Sequence, residues 1–99
     1  MIVIVGSFRV DPARVAEARP VMAAMIAASR AEPGCLDYSY SEDVLDPGLV
    51  RVIERWTDRG ALFHHFASAH IADWRATWGW LGISGRELML YESGSGESV

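Results

Sequence analysis

The side chains that could do chemistry in this sequence are His64, His65 and His70, the phenols Tyr38 and Tyr40, the indoles Trp56, Trp74 and Trp78, and the cations Arg9, Arg51 and Arg75. An imidazole titrates near neutrality, so it serves equally as a proton acceptor or as a hydrogen-bonded structural group. A metal site is not expected from spacing. Adjacent His64 and His65 would point about 100° apart on a helix, the step from His65 to His70 is neither i,i+3 nor i,i+4, and no acid or thiol completes a ligand set at a familiar interval. His64 is expected to face solvent, and His70 to be structural, with Asp73 pairing with it or capping the helix. Cys35 follows Pro33-Gly34 with no basic neighbour, which suits a buried inert thiol. Trp74 and Trp78 are one helical turn apart and share a face, as a core or pocket wall does.

Length and composition bound what these groups can serve. The chain has 99 residues, 51% of them hydrophobic and 22% charged, which fits one globular domain. A net charge of −4 argues against nucleic acid, whose phosphates need a cationic surface. The uncharged run from Val21 to Ala28 is too short for a membrane span, which needs about 20 apolar residues. Met1 to Val5 lacks the basic flank and cleavage site of a secretory leader, so a cytoplasmic protein is expected. Four Trp, three Tyr, three Phe and four Met exceed what a small core holds. The surplus is expected to line a pocket or meet a partner chain.

The elements follow from periodicity. Ile2 to Val10 is a β-branched strand that ends at Asp11-Pro12, an N-cap and first-turn proline. Val15, Ala18, Met22, Met25, Ile26 and Ser29 form one helical stripe, with a kink expected at Pro20 and a stop at Pro33-Gly34. Cys35 to Glu42 alternates, placing Leu36, Tyr38 and Tyr40 on one face. Asp46-Pro47-Gly48 turns the chain into a second strand, Leu49 to Trp56. Thr57 or Asp58 caps a helix in two pieces, the first through His64, His65 and Phe66 and the second from His70 to Trp78, and Arg86 to Glu92 is the last strand. The order βαββαβ is an α+β, ferredoxin-like plan with a four-stranded antiparallel sheet. Residues 1–93 form the domain and 94–99 a flexible tail. The sheet is apolar on both faces while helices cover only one, so a homodimer through sheet faces is expected.

The stretch Glu32-Pro33-Gly34-Cys35-Leu36-Asp37-Tyr38, then Glu54-Arg55-Trp56, Ala61-Leu62, His65, Ser68 and His70, resembles the antibiotic biosynthesis monooxygenase family. The resemblance covers nearly the whole chain and implies a dimeric α/β barrel of ferredoxin-like subunits. The family holds cofactor-free monooxygenases of quinols and phenols, haem-degrading enzymes and a signal-molecule isomerase. The anthrone-oxidising branch pairs its strand Trp with an Asn four residues earlier, a Tyr six later and a downstream Arg. Here Trp56 and Arg75 match, while Val52 and Leu62 take the other two places. The haem-degrading pattern is met at none of its three positions, which read Ser7, His65 and Arg75.

What the resemblance implies is oxidation of a small quinol or polyphenolic aromatic by O2 with no cofactor. His65, Trp56 and Arg75 would be catalytic, and Arg9, Tyr38, Tyr40, Phe66, Trp74 and Trp78 would bind substrate. Two other readings remain open: a non-catalytic barrel that binds a hydrophobic metabolite, and an isomerase.

Overall fold

The computed structural model describes all 99 residues. Strand β1 (Ile2–Arg9) buries Ile2, Ile4 and Phe8 and turns Val5 outward, the period-two alternation of a strand with one wet face. Asp11 Oδ1 accepts from the Ala13 N–H at 3.0 Å and opens a 3-10 turn, Pro12–Arg14, that leads into helix α1 (Val15–Arg30). Ala18, Met22, Met25 and Ser29 are its buried stripe. Pro20 is exposed and does not interrupt the helix, so the expected kink is not a break. Gly34, at φ +82°, turns the chain into β2 (Cys35–Glu42), and Gly48, at φ +87°, joins β2 to β3 (Leu49–Trp56).

Asp58 caps α2 (Arg59–Phe66), accepting from the Ala61 N–H at 2.8 Å. Ser68 then starts α3 (Ala69–Ala76), and α4 (Trp78–Leu81) ends at Gly82 before β4 (Ser84–Glu92). The last strand begins two residues earlier than periodicity suggests and takes Gly85 into the sheet.

The strands lie in the order β2-β3-β1-β4, all antiparallel, which is the ferredoxin-like arrangement. One face packs on the helices around Trp56, Leu62, Ile71, Trp74 and Leu81. On the other face Val5 pairs with both Ile53 and Met89, and Tyr91 lies beside them; all four are exposed. Leu36 departs from expectation. A bulge between Cys35 and Asp37 resets the alternation, so Leu36 turns outward while Tyr38 and Tyr40 stay inside. No helix is long and apolar enough to cross a membrane.

Gly6 holds β1 against β4. A Cβ there would lie 1.9 Å from the Glu87 carbonyl oxygen, and backbone cannot step aside as a flexible side chain can. Gly6→Ala is therefore expected to cost at least about 2 kcal/mol, the scale of an overpacked core site. Chemical denaturation of the two proteins checks it; equal midpoints would show that the strands separate freely.

Candidate active site

Four side chains in one row across the sheet make the floor of a cavity. Glu54 on β3 stands opposite Tyr38 on β2 and Ile4 on β1, and Ile4 stands opposite Leu90 on β4. Tyr40 and Leu88 extend the floor. The roof comes from α2, α3 and the helical turn at Trp78, which bring in His65, Phe66, Ile71, Trp74, Arg75 and Trp78. The cavity volume is about 200 Å³. Most of its lining is apolar, with a few polar groups placed among aromatic rings, the general character of a small-molecule site.

His65 is 2% exposed, and its ring is held from three sides. Tyr38 packs at 5.2 Å and Trp56 at 4.7 Å between ring centroids, and Nδ1 lies 2.5 Å from Glu32 Oε2. With the Nδ1 proton donated to Glu32, Nε2 keeps its lone pair and has no hydrogen bond within the chain. Burial lowers the His65 pKa, and this outweighs the Glu32 carboxylate, which acts to raise it. The ring is thus neutral at pH 7 and able to accept a proton. Burial alone would raise the Glu32 pKa, but the hydrogen bonds from His65 and His70 prevail and hold it below the usual carboxylate range.

Glu54 is the second acid–base group, 4% exposed and pushed up to about 7 by burial, against the Trp56 N–H that donates to its Oε1 at 3.0 Å. The phenols remain protonated: burial raises Tyr38 far above its ordinary value and takes Tyr40 to about 12, with 3.3 Å between their hydroxyls. Charge is supplied by two arginines. Seven of the nine basic residues, all arginines, are engaged by carboxylates or, for Arg30, by the Tyr38 carbonyl. The remaining two, Arg75 and Arg86, both line the cavity, and Arg86 sits over the Trp78 ring at 5.6 Å. The Trp78 Nε1–H is buried without a partner.

Of the nine residues expected to be catalytic or to bind substrate, His65, Arg75, Tyr38, Tyr40, Phe66, Trp74 and Trp78 come together at this cavity. Two do not. Arg9 points away, because Phe8 takes the inward position on β1, and its guanidinium is held by Asp46 at 2.7 Å on the surface. Trp56 is fully buried behind His65 and Glu54, touching both without lining the space. His70 also differs from expectation. It meets Glu32 at 3.0 Å and Ser68 at 3.2 Å rather than Asp73. Glu32, Glu54 and Arg86 were missed. Glu54 had a signal, as the one acid among the inward positions Val50, Val52 and Trp56.

The family model for antibiotic biosynthesis monooxygenases matches residues 1–77. The chain belongs to the antibiotic biosynthesis monooxygenase family. Its relatives in the family include "Putative monooxygenase Rv0793" of Mycobacterium tuberculosis, 34% identical over 75 residues, which are 76% of this chain and 73% of that protein. The crystal structure of Rv0793 superposes with a TM-score of 0.78, covering 99% of this chain and 98% of that one at 29% identity. A Deinococcus radiodurans member, its structure described as a putative antibiotic biosynthesis monooxygenase, superposes at 0.91 over 100% of this chain and 98% of its own, with 26% identity. An uncharacterized Synechocystis protein is 35% identical over 69 residues, 70% of this chain; the match spans about half, 47%, of that relative's length.

Proposed function

We propose that this family member oxidises a quinol or polyphenolic aromatic with O2, using no cofactor. The observation that carries the reading is His65, whose Nδ1 is fixed by Glu32 and whose Nε2 is unengaged at an aromatic-walled cavity. Triplet oxygen reacts poorly with closed-shell organic molecules, and removing a phenolic proton supplies the electron density it needs. In the proposed sequence, Nε2 takes that proton while Arg75 and Arg86 steady the phenolate. One electron passes from the anion to O2, and the radical pair joins as a ring C–O bond. Cleavage of the O–O bond then leaves a carbonyl and releases water. The balance is quinol plus O2 giving hydroxyquinone plus water, with all four electrons drawn from the substrate. The aromatic walls keep bulk water from the reactive intermediates. Trp56 has a positioning role, holding the His65 ring and the Glu54 carboxyl.

Oxygen uptake with a panel of hydroquinones and naphthols tests this directly. Saturable uptake above autoxidation is expected, and its absence with every compound would sink the reading. A second reading, isomerisation of a small carbonyl metabolite, draws on Glu54, which with His65 gives the cavity two groups able to exchange protons near neutrality. Turnover that persists without oxygen would favour it. Ligand-dependent thermal stabilisation with no turnover would favour a binding barrel.

The exposed apolar stripe Val5, Ile53, Met89 and Tyr91 supports a homodimer packed sheet to sheet, and the single cysteine suits a cytoplasmic setting. These side chains are already about half covered, so covering the remainder of each contributes about 1 kcal/mol, and a charge buried there has no partner. Ile53→Glu is therefore expected to convert a dimer into monomer at micromolar concentration, read by sedimentation. A wild type that sediments as a monomer would rule out the seam.

A further inference from the structure

All three histidines of the chain converge on one carboxylate. Glu32, in the turn after α1, has a side chain 7% exposed. His65 Nδ1 stands 2.5 Å and His70 Nε2 3.0 Å from its Oε2, and His64 Nδ1 stands 3.5 Å from its Oε1. The donor atoms of Glu32, His65 and His70 all lie within 4.8 Å of one another. Glu32 Oε1 is buried with no hydrogen-bond partner, an arrangement that buried polar atoms rarely tolerate.

We propose that this cluster binds one divalent transition-metal ion of the zinc class, through Glu32, His65 Nδ1 and His70 Nε2, with solvent completing the shell and His64 at its exposed rim. The donor set argues for that class. Calcium and magnesium favour shells of six or more oxygens, whereas mixed imidazole and carboxylate donors suit zinc and its neighbours. The geometry is close. Ligand atoms about 2.0–2.1 Å from a tetrahedral ion are roughly 3.3 Å apart, so the pairs at 2.5 and 3.0 Å need to open by less than about one ångström. Access is provided for, since side-chain exposure rises from 2% at His65 to 24% at His70 and 75% at His64. An ion can therefore arrive from the surface without crossing the cavity. The proposal does not depend on the oxygenase reading. The two do exclude each other in time, because an ion on Nδ1 leaves the His65 proton on Nε2, where a base needs its lone pair.

The test is calorimetric titration of the metal-free full chain with Zn2+, alongside Co2+ absorption as a reporter of coordination. One ion per chain and a tetrahedral Co2+ spectrum are expected, and both are read without turnover. His70→Ala and Glu32→Gln should each weaken binding about tenfold or more. His64→Ala, at an exposed position that does not threaten folding, should weaken it less. A folded wild type with no saturable Zn2+ binding at micromolar concentrations would overturn the site, as would binding unchanged in folded His70→Ala.

Discussion

His65→Ala should lower oxygen uptake on an accepted quinol by about 10²- to 10⁴-fold, the usual contribution of a positioned general base. The loss should fall mainly on kcat, because the cavity walls that hold the ring are unchanged while proton removal is not. Two controls keep the result readable. Arg9→Ala removes a cation that structure places outside the site, paired with Asp46, and should retain full activity. Melting of the His65 variant shows whether the lost Glu32 contact has damaged the fold. A folded His65→Ala enzyme with wild-type kcat would reject His65 as the base, and would turn attention to Glu54 across the cavity.

Glu54→Gln should change how stability depends on pH. The Glu54 carboxyl titrates at about 7 when folded against 4.5 as its ordinary value. A raised carboxylate pKa means that the folded state binds the proton more tightly than the unfolded state. Its stabilising effect is therefore fully present below about pH 4.5 and is lost as pH rises through about 7. Each unit is worth about 1.4 kcal/mol, so the loss by pH 8 is about 3 kcal/mol. Glutamine carries no charge and keeps the oxygen that accepts from Trp56, so it removes the pH-dependent part. Relative to wild type, the variant should gain about 2.5 kcal/mol between pH 5 and pH 8, roughly a 10 °C or larger gain in Tm for a chain of this size. The change across pH is the readout, since any fixed cost of burying the amide cancels. Parallel curves for the two proteins would mean that Glu54 is ionised in the folded state.

Much of the fold is local information. Alternation marks β2 and β3, the Met22/Met25 stripe marks α1, and Asp11-Pro12, Pro33-Gly34 and Asp46-Pro47-Gly48 punctuate the chain with turn chemistry that needs no distant contact. Even the aromatic wall was legible, because Trp74 and Trp78 lie one turn apart on the chain that forms the roof. Leu36 shows the limit of such reasoning. A single extra residue in a strand reverses which face the next side chain takes, and alternation alone does not reveal the bulge.

The polar part of the site was less legible because its contacts are long-range. Glu32 and His65 are 33 positions apart, and Glu32 and His70 38. Spacing rules compare residues on one helix, and they reject His65 with His70 because five positions do not fit a turn. The two-piece reading already separates the rings; the structure places the break at Ala67-Ser68 and lays a carboxylate from a distant turn between the two helices. Arg9 and Arg86 make the same point from the other side. Both are arginines on strands, and only the pairing of Arg9 with Asp46 and the seating of Arg86 over Trp78 decide which one reaches the cavity.

The sequence by itself determined the element order, the inward faces and the residue types available for chemistry, because hydrophobic periodicity and turn propensities act over a few neighbouring residues. Tertiary structure alone decided which groups meet. The Glu32–His65–His70 contact, the near-neutral Glu54 and the two unpaired cavity arginines arise from burial and through-space proximity, which depend on how distant segments close around one another.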